Sequence, residues 1–147
     1  MDSALLRSPD GLTVRLQLLD PLGYPKWPVR TVDLVQRYSD APPARLSTPT
    51  PPSFAAWKTT AWFDRAAARD LYDLWALAMI DLISPEAARL FVRYGPTNRP
   101  PDDSMFATPP DESRWRRDLG GQLRLEITAA DALEVVRRNW AKARGSM

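Results

Sequence analysis

The chain begins with a strict alternation of apolar and polar positions. In residues 12–19, LTVRLQLL, the even-numbered positions are all apolar, and polar residues occupy most positions between them. A period of two predicts a half-buried β-strand. A shorter alternation in residues 30–37 predicts a second strand, which we expect to pair with the first in a hairpin or meander.

Helical periodicity replaces this alternation in the second part of the chain. Apolar faces recur at helical spacing in residues 54–65, 69–80 and 84–94, in a shorter segment at 113–119, and in a last helix that begins at Thr128. Because the predicted strands come first and the helices follow, the pattern predicts an α+β fold.

Local signals mark where two of these helices begin. Ser53 follows two prolines and is expected to be the N-cap of the first helix. Thr128, with Asp131 three residues later, has the arrangement of a capping box. The proline-rich stretch 40–52 cannot be the interior of a helix, so we expect an extended crossover there.

Length and composition limit the classes of protein. A chain of 147 residues is long enough for a single domain, with a β-rich part at 1–40 and a helical part at 53–147. No apolar run reaches the roughly 18–20 residues needed to cross a bilayer, and the N-terminus does not resemble a signal peptide. We therefore expect no membrane association and a cytoplasmic location.

The absence of two residue types excludes several kinds of chemistry. The chain has no cysteine, which rules out disulfides and thiolate metal sites. It has no histidine, which rules out a Ser-His-Asp triad and histidine-bound zinc within this chain. The net charge of +2 and the pI of about 9.2 are compatible with a polyanionic partner and do not establish one.

Charged residues interrupt the apolar faces of the first two helices. Lys58 falls within the stripe formed by Phe54, Trp57 and Trp62, and Arg65 lies two turns further along the same face. A lysine in this position either extends its amine outwards along apolar neighbours or points it into a polar cleft.

The second helix, 69–80, is apolar almost all round and carries Asp70 and Asp73 on one narrow edge. Burying an unpaired carboxylate costs several kcal/mol, roughly, so each needs a cation, a metal ion or water. Asp70 also lies in the first helical turn, where it stabilises the helix dipole. The residues alone leave two interpretations open, a structural salt bridge and a functional cleft. Because the connection at 66–68 is short, we expect the two helices to be packed neighbours, and a shared cleft would place Lys58 and Asp73 near each other across them.

The spacing of these charges, K-x6-R-x3-RD-x2-D from Lys58 to Asp73, resembles nucleotidyltransferase toxins of the AbiEii and MenT type. These belong to the DNA polymerase β-like nucleotidyltransferase superfamily. The segment SFAAWK and the closing helix AADALEVVRRNWAK are also similar to that family. The resemblance extends from about residue 12 to residue 144 and is sharpest over 54–78.

This resemblance implies an activity and a set of residue roles. Lys58 would contact the nucleoside triphosphate (NTP), Asp73 would be the active-site acid, and Asp70 and Arg65 would support them at the cleft. The implied reaction is Mg²⁺-assisted nucleotidyl transfer, in which a hydroxyl group attacks the α-phosphorus. By resemblance the acceptor is the 3′ end of tRNA, and a cognate antitoxin is the expected protein partner.

One departure from the family pattern concerns the metal ligands. The family has a G-S-x-D-x-D arrangement that holds the metal ions, and this sequence has none, so we expect too few ligands here for two-metal catalysis. Gln17 and Asp20 stand near the place where a further metal carboxylate is expected. The sequence thus resembles the C-terminal two-thirds of such an enzyme.

Two alternatives to an active toxin remain open at this stage. One is a catalytically inactive remnant that still binds nucleotide, antitoxin or tRNA. The other is an α+β interaction protein whose ion pairs only hold its core.

Three further features receive structural interpretations. Most of the six tryptophans are expected in the core, among them Trp57, Trp62, Trp75 and Trp140. The SRWRR segment, with Arg114 to Arg117, is expected on a solvated helix face, with an RNA contact as the alternative. Asp102 and Asp103 are expected in an exposed loop and not in a metal site.

Overall fold

The structure is a computed structural model that describes residues 2–18, 26–37, 39–121 and 124–147. In these residues four β-strands come first and five α-helices follow, which confirms the predicted α+β class. The strands form two separate two-stranded antiparallel sheets. In the first sheet β1 (Asp2–Arg7) pairs with β2 (Thr13–Leu18), and in the second β3 (Val29–Asp33) pairs with β4 (Arg45–Pro49).

The predicted strand pairing is wrong. The strand expected at 12–19 pairs with β1 through a short connection and not with the segment at 30–37, which pairs instead with β4. β1, with the sequence DSALLR, lacks a clear alternation and was not predicted. The stretch 40–52 is not a plain crossover, since it contains β4, a short strand with its proline at the last position.

The first hairpin has one apolar face, and that face is exposed. Leu6 stands opposite Val14, and Ala4 stands opposite Leu16, so these four side chains share one side of the hairpin. The alternation therefore predicted the strand and its two faces correctly. The prediction that the strand is half-buried is wrong, because Leu6, Val14 and Leu16 are all exposed.

The helices lie close to their predicted positions. Their bounds are α1 Pro51–Arg65, α2 Ala68–Met79, α3 Pro85–Tyr94, α4 Glu112–Leu119 and α5 Ala129–Gly145, with a 3₁₀-helix at Asp103–Phe106. Within the described ranges, no helix has the length and apolar character needed to cross a membrane.

The helix caps explain where two of these helices begin. α1 is capped by Thr50, whose hydroxyl accepts from the backbone N–H of Ser53, so the prediction of Ser53 as N-cap is wrong by one turn. The two prolines at the start of α1 occupy positions where no helical N–H is required. At α5 the predicted cap is confirmed, because the Thr128 hydroxyl accepts from the backbone N–H of Asp131.

The core lies among the helices. α1 packs on α2 and α3, and α5 packs on α2 and α3. Its largest fully buried side chains are Trp115, Trp140, Phe91 and Phe106. Trp115 comes from the arginine-rich segment that was expected to be solvated, and its indole N–H donates to the Ile127 carbonyl at 3.0 Å. The arginines of that segment are exposed, so only the tryptophan departs from the prediction.

Candidate functional site

A two-residue corner between α1 and α2 brings the predicted charges together. α1 ends at Arg65, and Ala66 adopts a left-handed backbone conformation with φ 45° and ψ 43°. Its N–H donates to the Trp62 carbonyl at 2.8 Å, which closes the last turn of α1. Ala67 is extended and α2 begins at Ala68, so the two helices are packed neighbours, as the short connection predicted.

Asp70 is the innermost member of this site. Its side chain is 0% exposed and accepts two hydrogen bonds from the Arg65 guanidinium. The distances are 2.7 Å from Nε to Oδ2 and 2.8 Å from Nη2 to Oδ1, which is bidentate geometry. This bond also raises the pKa of Arg65, which is charged at neutral pH in any case. A buried carboxylate is thus fully paired at the corner of the two helices.

Lys58 joins Asp70 to Asp73 across the helix pair. Its Nζ lies 2.6 Å from Oδ2 of Asp73 and 3.6 Å from Oδ1 of Asp70. The amine also lies 5.7 Å from the centre of the Phe54 ring, within range of a cation–π contact. The expectation that Lys58 and Asp73 are neighbours across the two helices is therefore confirmed.

Exposure divides the four charges into an inner and an outer pair. The side chains of Lys58 and Asp73 are 18% and 40% exposed, so this pair opens to solvent. The Arg65 side chain is about half-exposed, but the Asp70 carboxylate that it pairs with is not reached by solvent. The inner pair of Arg65 and Asp70 has the character of a structural salt bridge, whereas the outer pair has that of a cleft edge.

The four charges pair with one another and leave no free carboxylate for a metal ion. Two positive and two negative side chains balance, and each carboxylate already has a cation as partner. In the described part of the chain, no group of three or more acidic residues could hold a metal ion. These residues therefore do not fit a two-metal centre. Gln17 and Asp20, the positions considered for a further metal ligand, lie outside the residues whose side chains the structure describes.

One residue beside the site was wrongly predicted. Trp57 was expected in the core, and 42% of it is exposed. Its ring lies 6.0 Å from that of Phe54, which is only partly buried. Because Trp57 follows Phe54 at helical spacing, periodicity alone does not indicate its exposure.

The remaining predicted features have structural partners. Asp102 caps the 3₁₀-helix and is exposed, as is Asp103, which confirms an exposed loop there. In α4, Arg114 lies 3.4 Å from Asp118, and Arg116 lies 3.1 Å from Glu112. These pairs neutralise much of the basic segment that was considered for RNA contact, which favours the solvated-face interpretation.

Comparison with protein families places this geometry in a known context. Residues 11–147 match the family model described as Nucleotidyl transferase AbiEii toxin, Type IV TA system. The match includes α1 and α2 and therefore the whole cluster of Lys58, Arg65, Asp70 and Asp73. No curated protein and no solved structure matches the chain significantly.

Proposed function

Since the chain belongs to the AbiEii family of nucleotidyltransferase toxins, we propose that Lys58 and Asp73 form the nucleotide-handling edge of its active site. The observation that carries this proposal is the solvent-open pair of Lys58 Nζ and Asp73 Oδ2 at 2.6 Å, backed by a buried and fully paired Asp70. The substrate is an NTP, the acceptor is the 3′ end of tRNA, and the antitoxin is a protein of the same toxin–antitoxin system. A cytoplasmic location belongs to the same proposal.

Movement of the Lys58 amine from Asp73 to the triphosphate links nucleotide binding to proton transfer. An incoming triphosphate competes with Asp73 for the lysine amine, a compact cation suited to phosphate. When Lys58 turns to the phosphate, Asp73 loses its cation and becomes available as a proton acceptor. The acceptor hydroxyl then gives its proton to Asp73 while its oxygen attacks the α-phosphorus. The bond from the α-phosphorus to the bridging oxygen breaks, and pyrophosphate leaves.

The inner pair has a positioning role in this proposal. Arg65 holds both oxygens of Asp70, and the same carboxylate stands 3.6 Å from the Lys58 amine. Asp70 thereby keeps a negative charge near Lys58 after the lysine leaves Asp73, which holds the amine at the cleft. Mg²⁺ is implied for the family, but the described residues form no cluster of ligands for it, so no step is assigned to it.

Transfer of labelled nucleotide to RNA tests the proposal. The purified chain is incubated with total tRNA, Mg²⁺ and each α-³²P-labelled NTP, and labelled RNA is resolved on a gel. We expect Lys58→Ala to reduce transfer by about 10²–10³-fold and Asp73→Ala by about 10²–10⁴-fold, the ranges for lost electrostatic stabilisation and lost proton transfer. Lys142→Ala, which changes an exposed lysine on α5, is the matched control and should leave transfer unchanged.

Thermal melts separate loss of chemistry from loss of fold. Lys58 and Asp73 are partly exposed, so each alanine variant should lose no more than about 1 kcal/mol of stability. Large and similar losses of stability in both variants would show that the pair is purely structural, and the catalytic assignment would then be abandoned. Transfer that survives in both variants would equally overturn it.

A further inference from the structure

A second chemical feature lies next to the charged site and has no role in the proposal above. Trp57 precedes Lys58 in α1, and 42% of the residue is exposed, whereas tryptophan is highly buried on average. Of the other tryptophans on the helices, Trp62, Trp115 and Trp140 are buried and Trp75 is partly buried. On α1 the exposed aromatic side chains are Trp57 and Phe63, and of these two Trp57 is the one in ring contact with Phe54 beside Lys58.

Phe54 connects this exposed ring to the charged site. The ring centres of Trp57 and Phe54 are 6.0 Å apart, and the Lys58 amine lies 5.7 Å from the same Phe54 ring. An exposed aromatic ring and the Lys58 amine thus border one partly buried phenylalanine. Trp57 and Lys58 are about 100° apart around the helix. The ring and the amine therefore lie on different sides of Phe54, where two different parts of one ligand could contact them.

A nucleotide presents the complementary pair of groups. Its phosphates need a cation, and its base offers a flat π-face that stacks on exposed aromatic rings without requiring a particular base. Stacking also shields an indole that would otherwise leave apolar surface in water. A ligand with a charged end and a flat aromatic end accounts for both features.

We infer that Trp57 is the base-stacking platform of the nucleotide site and receives the nucleobase of the NTP whose phosphates contact Lys58. This inference rests on the function proposed above and adds the residue that binds the base. A stacking platform contacts the π-face and not the hydrogen-bonding edge. Trp57 should therefore raise affinity for all four NTPs without selecting among them.

Binding measurements with and without the base test this inference. Isothermal titration calorimetry of the full chain is carried out with ATP, CTP, GTP and UTP, and with inorganic tripolyphosphate as a probe that has no base. For Trp57→Ala we expect dissociation constants about 5- to 150-fold higher for every NTP, the range measured for loss of one base–aromatic stack. The affinity for tripolyphosphate should stay unchanged.

Two variants keep the test independent of folding. Trp57→Phe retains an aromatic ring and should show a smaller loss than the alanine variant. Phe63→Ala removes another exposed ring of α1, which is 49% exposed and lies about 120° around the helix from Trp57. It should bind every ligand as the wild type does.

Each other result contradicts the inference in a recognisable way. If Trp57→Ala binds NTPs normally while Lys58→Ala does not, Trp57 is not the stacking platform and the proposed function stands. If Trp57→Ala lowers the affinity for tripolyphosphate as much as the affinity for NTPs, the ring affects the fold or the phosphate contacts and not the base. The inference then fails. If the wild type binds neither NTP nor tripolyphosphate, the proposed function fails and the inference fails with it.

Discussion

The hairpins leave most of their large apolar side chains exposed, whereas the helices expose only a few of theirs. The core cluster draws all its buried members from residues between Ala55 and Ala143. In the first hairpin Leu5, Leu6 and Val14 are exposed, and in the second Val29 and Leu46 are exposed. Amphipathic patterning predicts that a face exists in both regions, but it does not predict that the chain provides a partner for that face.

This contrast suggests where the stability of the described structure arises. A fully buried large side chain contributes roughly 1.5–3 kcal/mol through removal of its surface from water, whereas an exposed one contributes little. The hairpins rest mainly on their ladder hydrogen bonds, and an isolated two-stranded hairpin is marginally stable in water. We therefore expect the helices to carry most of the free energy of unfolding.

Matched truncations in the two regions provide the strongest test of this expectation. Phe91 on α3 is fully buried against Trp140, and Phe91→Ala should cost about 3–5 kcal/mol. Leu6→Ala in the exposed hairpin should change stability by about 0.5 kcal/mol or less. Urea denaturation followed by far-ultraviolet circular dichroism measures both. Comparable losses in the two variants would show that the hairpin face is covered in solution.

The helices were predictable because their signals are local. Residues 84–95 carry a cap, a proline and a terminal glycine, and α3 follows them closely at Pro85–Tyr94. Strand pairing depends on partners elsewhere in the chain, and the strand at Arg45–Pro49 lies in a stretch whose prolines favour a loop. Trp115 was missed because arginines flank it, although its spacing of four to Leu119 on one helix face was a usable signal.

The candidate site was predictable for the same local reason. All four charges lie on two consecutive helices, so helical periodicity and a short connection were enough to bring them together. The order of burial was not predictable. Asp70 and Asp73 are one turn apart, and only the packing of α2 against α1 decides which of them solvent reaches.

The difference between Asp70 and Asp73 gives the next test within the helical region. Asp70→Ala leaves Arg65 and Lys58 without their buried partner, and we expect a loss of about 3 kcal/mol. This value lies at the low end for a broken buried pair because the Arg65 head is half-exposed and regains water. Thermal melts of Asp70→Ala and Asp73→Ala measure the contrast. Equal losses would contradict the division into an inner and an outer pair.

Two aspartates, each held by a hydrogen bond from a nearby serine, allow the stability of the helices and of the first hairpin to be compared by changing pH. Asp111, the N-cap of α4, accepts from Ser113, and this hydrogen bond holds the pKa of Asp111 below its ordinary value. Asp10, in the turn of the first hairpin, has its pKa lowered chiefly by a hydrogen bond from Ser8. Each bond is local, so the two residues differ mainly in the element to which they belong.

The sign of the pH effect follows from the lowered pKa values. A carboxyl group with a lower pKa in the folded state adds stability above its unfolded pKa of about 3.9, and this stability is lost as pH falls through the folded pKa. If the helices carry the cooperative unfolding transition, Asp111→Asn should weaken the fall in melting temperature from pH 5 to pH 2, since asparagine caps without titrating. Asp10→Asn should leave that fall unchanged. Melting curves of both variants at half-unit pH steps measure this effect, the smallest of the three, and equal changes would show that the hairpin unfolds together with the helices.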